Sequence, residues 1–166
     1  MFVVVIAATL FGETSRAQTT VKEKGSYLNV GMGFPYSYGW AYQSSFILQV
    51  SGQYGFKQVG PGVFSIGGLT GLAFWSHTNN DGGRGTALGI PLVARLRYHY
   101  DWGVKNLDTY AGVSIGLGIH TRGQAVYPLG GLHIGAQYYF TEKIGVFGDL
   151  GWDVSAIALG VAIKLN

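Results

Sequence analysis

The chain has 166 residues, one domain's worth by length, with Gly at 28 positions, aromatics at 14% and charged residues at only 11%. An average soluble domain carries roughly 25% charged residues, so this chain is too poor in charge to cover an ordinary aqueous surface. It has no cysteine, which excludes disulfides and cysteine-based metal or redox chemistry, and its net charge of +3 comes from scattered Lys and Arg that form no nucleic-acid-binding cluster.

The N-terminal stretch Phe2–Phe11 is apolar and uncharged, and it leads to Ser15-Arg16-Ala17, a small-x-small cleavage pattern. It is too short to span a bilayer. The pattern predicts a signal peptide over 1–17 with Gln18 as the mature start, then a polar N-terminal segment over 18–25 and a barrel over 26–166. No internal run reaches the ~18–20 apolar residues of a membrane helix.

From Ser26 the chain alternates with a period of two, the strand period. Eight segments are predicted: 26–34, 45–54, 63–76, 88–100, 109–120, 129–140, 145–152 and a closing strand from Ala156. In the second, Phe46, Leu48, Val50 and Tyr54 share a face opposite Gln49, Ser51 and Gln53. In the third, Phe64, Ile66, Leu72 and Phe74 point outward. The fourth sets Leu88 through Tyr100 at even positions against Arg95, Arg97 and His99. The fifth and sixth repeat the rule, with Tyr110, Ser114, His120, His133 and Gln137 on the polar side. The seventh sends Val146, Leu150 and Trp152 out and Phe147 and Asp149 in. The last strand opposes Ile157, Leu159, Val161, Ile163 and Leu165 to Ala156, Ala158, Gly160, Ala162 and Lys164. One face is as apolar as lipid, and the other is small or charged.

That pattern predicts an all-β fold, an eight-stranded antiparallel up-and-down transmembrane β-barrel, because lipid tolerates only closed sheets. Aromatics fall into two bands at strand ends, as at two membrane interfaces. With both termini on the periplasmic side, the outer loops are predicted at 35–44, 77–87, 121–128 and 153–155. The inner turns are then 55–62, 101–108 and 141–144. The stretches YAGVSIGLG, LHIGAQYYFTEKIGVFGDLGW and ALGVAIKLN resemble the small eight-stranded outer-membrane β-barrels of the OmpA transmembrane domain and OmpX kind. The resemblance implies an integral protein of the Gram-negative cell outer membrane without a cofactor, in contact with lipid and lipopolysaccharide, inserted by the barrel assembly machinery. Such barrels usually end in an aromatic, whereas this sequence closes on Lys164-Leu165-Asn166.

Buried charges must be paired, so Arg95, Arg97, His99, Asp149 and Lys164 are expected to form a polar network that plugs the lumen. The four histidines, His77, His99, His120 and His133, lack the spacing of a metal site. The stretch Ser76-His77 with Asp81 is faintly similar to the lipid A deacylases, though the Ser precedes the His. The glycines at 82, 83, 85, 116 and 118 open no helix after a strand, so no phosphate loop is read there. The expected role is therefore structural or surface-interacting and non-enzymatic, with Tyr36, Tyr38, Trp40 and Tyr42 presented on an outer loop to an extracellular ligand. The alternatives are a lipid A-modifying barrel enzyme and a soluble, lipocalin-like exported barrel whose aliphatic face points inward.

Overall fold

The computed structural model describes residues 21–38, 41–43, 45–78, 84–120 and 126–165; the predicted signal peptide, Trp40 and Asp81 lie outside them. The strands are β1 Ser26–Tyr38, β2 Ala41–Gln43, β3 Phe46–Val59, β4 Gly62–Thr78, β5 Arg84–Tyr100, β6 Leu107–His120, β7 Val126–Tyr139, β8 Ile144–Gly151 and β9 Ser155–Lys164. Each long strand pairs antiparallel with its sequence neighbours, and β1 pairs with β9. Eight strands thus close into an all-β antiparallel barrel, with β2 a short hairpin extension on β1.

Alternation in the sequence becomes alternation in burial. Along β3, Phe46 to Tyr54 reads exposed and buried by turns, with Gln49, Ser51 and Gln53 turned inward. The same parity holds in β5, where Arg95, Arg97 and His99 are buried while Leu92 and Leu96 are exposed. The burial is inverted relative to a water-soluble fold. Ile115 is 75% exposed and Leu132 68%, whereas Arg97 is 3% exposed. A water-soluble protein rarely leaves so continuous an apolar surface uncovered. The aliphatic face of β9 also looks outward, Leu159 at 63%, which is opposite to a lipocalin-like arrangement.

Most strands outrun their predicted bounds at one end or both, while β7 and β8 stop one residue short at Tyr139 and Gly151. The stretch between β4 and β5 narrows to residues 79–83, that between β6 and β7 to 121–125, and β3 turns into β4 through Gly60 and Pro61. Backbone pairing continues through the Gly, Ser and Lys residues that break the hydrophobic alternation. One bulge, between Gly55 and Lys57, lets the end of β3 bend.

The interior is layered. At the end that carries the connections after β1, β4, β6 and β8, Ile47, Leu69, Ala73, Val93, Leu129 and Val154 pack together with Tyr36 and Tyr127. At the opposite end, which carries the turns after β3, β5 and β7, Val21, Tyr27 and Val63 pack together. The segment before β1 is pinned there by Lys24 N–H to the Gly55 carbonyl (2.6 Å) and Gly55 N–H to the Gly25 carbonyl (2.9 Å). A polar band lies between these two apolar layers.

The closing seam depends on small residues. Gly31 of β1 and Gly160 of β9 are register partners. A Cβ at Gly160 would run into the Val30 carbonyl and the Phe147 ring. Side chains fill an interior this narrow, so the backbones can approach only where side chains are missing.

Candidate functional site

β5 carries Arg95, Arg97 and His99 at i, i+2 and i+4, and the strand period turns all three into the interior. β8 supplies Asp149 from across the barrel. Arg95 Nη1 and Arg97 Nη2 each donate to Asp149 Oδ2 at 3.3 Å. Tyr110 donates its hydroxyl proton to the other oxygen, Oδ1. The Arg97 guanidinium also lies 4.5 Å from the centroid of the Tyr110 ring, a cation–π contact in a desolvated setting.

Asp153 completes the charge balance. Its Oδ2 accepts from Arg95 Nη2 at 2.6 Å and from Ser114 Oγ at 2.8 Å. Two guanidinium and two carboxylate groups, all no more than 6% exposed, therefore neutralise one another. The sequence places Asp153 in an outer connection, and it does lie between β8 and β9. Its side chain nevertheless turns inward, as its parity with Asp149, four residues before it, indicates.

His133 of β7 sits among these three ion pairs, bonded to Arg97 and beside Asp153. Arg97 Nε donates to His133 Nε2 at 2.9 Å, so that ring nitrogen accepts and the proton rests on Nδ1. Nδ1 faces Ser114 Oγ at 3.1 Å and Asp153 Oδ2 at 3.4 Å. Gly112 makes room for this crossing, because a Cβ there would press on Arg97 Cγ and His133 Nε2 at 2.8 and 2.9 Å.

His99 belongs to a neighbouring cluster nearer the turns. Its Nδ1 is 2.8 Å from Asp108 Oδ2 and its Nε2 is 2.9 Å from Ser65 Oγ. Gln53 Oε1 links the two clusters, 3.1 Å from Arg97 Nη1 and 3.4 Å from Ser65 Oγ. Ser, His and Asp here share the order of bonds found in hydrolytic triads. All three are at most 3% exposed, so the Ser65 hydroxyl offers no open face to a substrate. The trio instead ties β4, β5 and the start of β6 together.

Two expectations are corrected by these positions. Lys164 stays apart from the Arg–Asp band: its ammonium lies 4.1 Å from the centroid of the Tyr139 ring near the turn end. A long side chain on the last residue of β9 packs its charge over an aromatic face instead of reaching mid-barrel. Tyr36 is no loop residue. It lies in β1, is fully buried, and its hydroxyl bonds to that of Tyr127. Simple alternation would put Tyr36 outward with Phe34. Pro35 has no N–H for the ladder, pairing with β9 skips it, and Tyr36 resumes opposite Ser155 on the inward side. Tyr38 and Tyr42 lie in the β1–β2 hairpin, whose backbone pairs Tyr38 with Ala41 and Ser37 with Tyr42. Ser76 and His77 lie in the last residues of β4, before Thr78.

Among the described residues, no group of three or more His, Asp or Glu side chains is placed to hold a metal ion. A groove of about 570 Å³ lies elsewhere, on the outer wall across β5 to β9.

No protein-family model matches the chain, and no curated protein sequence does. Its fold is nevertheless similar to solved structures. A chain described under "De novo design of transmembrane beta-barrels" superposes with a TM-score of 0.56 at 16% identity, covering 87% of this chain and 98% of the design. The outer membrane protein OprG from Pseudomonas aeruginosa superposes with a TM-score of 0.53 at 10% identity, over 90% of this chain and all of OprG. At such identities the likeness concerns the fold: this is a closed antiparallel barrel of the transmembrane kind.

Proposed function

We propose that the chain is an integral outer-membrane protein with a side-chain-filled interior, non-enzymatic, serving as a membrane scaffold that presents the connections after β1, β4 and β6 at the cell surface. The observation that supports this reading most is the inverted burial: Arg95, Arg97, Asp149 and Asp153 are inside while Ile115, Leu132 and Leu159 are outside. In water such an arrangement would expose the wrong residues; in lipid it exposes the right ones. An eight-stranded interior is just wide enough for side chains to fill, and here a charged band is stacked between two apolar layers. The reading therefore assigns no steady ion conduction to the barrel.

Partners follow from the ends. Lipid and lipopolysaccharide meet the outer wall, the assembly machinery acts during insertion, and an extracellular ligand meets the connections after β1, β4 and β6. The test has two parts. Envelope fractionation with gels of boiled and unboiled samples should place the protein in the detergent-extracted outer membrane with a heat-dependent mobility. Planar-bilayer recording of the same preparation should show no sustained channel steps. A protein soluble without detergent contradicts the membrane reading, and stable unitary currents contradict the filled interior.

A further inference from the structure

The outer wall is not uniformly bulky. Across β6, β7 and β8 the register aligns Thr109 with Ala136 and Ala136 with Gly148. These small residues lie on outward-facing positions between Tyr100 of β5 and Leu159 of β9, which continue the same row. The row beside it carries Ile134 and Leu150, 58% and 54% exposed. The result is a trench in the apolar wall, the groove of about 570 Å³. From Tyr100 to Leu159 it crosses four strand spacings, about 19 Å at about 4.8 Å each.

Its two ends differ. Leu159 lies midway along β9, deep in the apolar band, whereas Tyr100 is the last residue of β5. Just beyond Tyr100 the Trp102 indole leans across the trench mouth, Nε1 donating to Thr109 Oγ1 at 2.5 Å, while remaining 60% exposed. The turn that holds Trp102 also holds Lys105, and the next turn along the wall holds Lys143, both exposed. This end of the barrel is basic. All six lysines of the chain lie at it, against the carboxylates Glu23, Asp101 and Glu142 on the same rim and the buried Asp108 just inside it.

The geometry points to a seat for one anionic glycerophospholipid, with an acyl chain laid in the trench and the phosphate held at the rim by Lys105 and Lys143. This rests on the membrane reading above and deepens it by naming the lipid class and the wall that binds it. The apolar trench suits a hydrocarbon chain. The aromatic–lysine rim suits a phosphate at the interface, where ring edges and ammonium groups reach the headgroup layer. The small residues on the floor allow the chain to lie below the level of Ile134 and Leu150. Neighbouring lipids that slide over those side chains lack that contact.

The test is native mass spectrometry of the detergent-extracted protein, titrated with phosphatidylglycerol or phosphatidylcholine. The wild-type barrel should retain one phosphatidylglycerol in preference to phosphatidylcholine. Ala136→Leu with Gly148→Leu fills the trench from the lipid side and should reduce retention of both lipids at least tenfold. Lys105→Gln and Lys143→Gln should each lower the preference for phosphatidylglycerol about fivefold, the worth of one lysine near an anionic surface. These turn substitutions lie outside the strands and keep the question decidable if the filled trench fails to fold. Equal retention in the filled variant, unchanged lipid preference in the lysine variants, or dimers in place of lipid adducts would each overturn the seat while leaving a heat-modifiable membrane barrel intact. A protein that is soluble without detergent and shows no heat shift would overturn both readings.

Discussion

Replacing Asp153 by Ala probes the interior where its charge balance is tightest. Asp153 accepts from Arg95 at 2.6 Å and from Ser114 at 2.8 Å, and is 2% exposed. The band holds Arg95 and Arg97 against Asp149 and Asp153. Its formal charge is +2 − 2 = 0, and D153A leaves +1. Breaking a buried pair from one side costs about 3–5 kcal/mol, because the surviving charge keeps its desolvation penalty without its partner. Removing both charges is different: Arg95→Met with Asp153→Leu discards the ions and the cost of burying them, and such swaps often come out neutral. In this barrel Arg95 also bonds Asp149, so the double variant leaves Arg97 to balance Asp149 alone, again a net charge of zero. The expected result is a loss of about 3–5 kcal/mol for D153A and recovery of most of it in the double variant. The assay is urea unfolding of the barrel in lipid vesicles, followed by tryptophan fluorescence and unboiled gel mobility. A D153A variant within about 1 kcal/mol of wild type would refute the reasoning, since exposed pairs contribute no more than that.

Two further substitutions test other layers. Gly160→Leu drives a side chain into the Val30 carbonyl at the β1–β9 seam; overpacking of this kind costs about 1–3 kcal/mol or more, and the heat-modifiable band should weaken or vanish on unboiled gels. Tyr36→Phe strips the hydroxyl that meets Tyr127 in the buried interior and should cost about 0.5–1.5 kcal/mol, the net worth of one hydrogen bond. Adding Tyr127→Phe should return part of the loss in the same urea titration, whereas a surface-binding residue would move ligand capture and leave stability alone.

Much of the barrel is legible in the sequence because lipid outside and side chains inside impose one rule on every strand. β3, β5 and β9 follow it nearly residue by residue, and it carries Arg95, Arg97 and Asp149 to one place. The rule fails where the backbone departs from strict alternation. Pro35 interrupts the ladder and reverses the expected side of Tyr36, so a residue that looks like part of an aromatic loop becomes interior packing. Asp153 does lie in the short connection between β8 and β9, and what loop chemistry hides is that its side chain, in parity with Asp149, points inward. The partnership of Ser65, His99 and Asp108 was beyond period-two reasoning, which gives a face but not a height. Which inward residues meet depends on strand stagger, fixed by the register between chains of atoms far apart in sequence. The trench at Thr109, Ala136 and Gly148 was hidden for the same reason, since each small residue looks ordinary within its own strand.

Because the chain has no native cysteine, a single nitroxide spin label at Ile115→Cys reports directly on the solvent of the outer wall. The measurement is its collision rate with oxygen, which concentrates in lipid, against that with a water-soluble nickel chelate, with Lys57→Cys as reference. Ile115 is 75% exposed on the wall and Lys57 lies exposed near the turn end. Strong oxygen and weak nickel accessibility are expected at position 115, reversed at position 57, in reconstituted vesicles. Nickel accessibility at position 115 equal to that at position 57 would contradict the membrane reading.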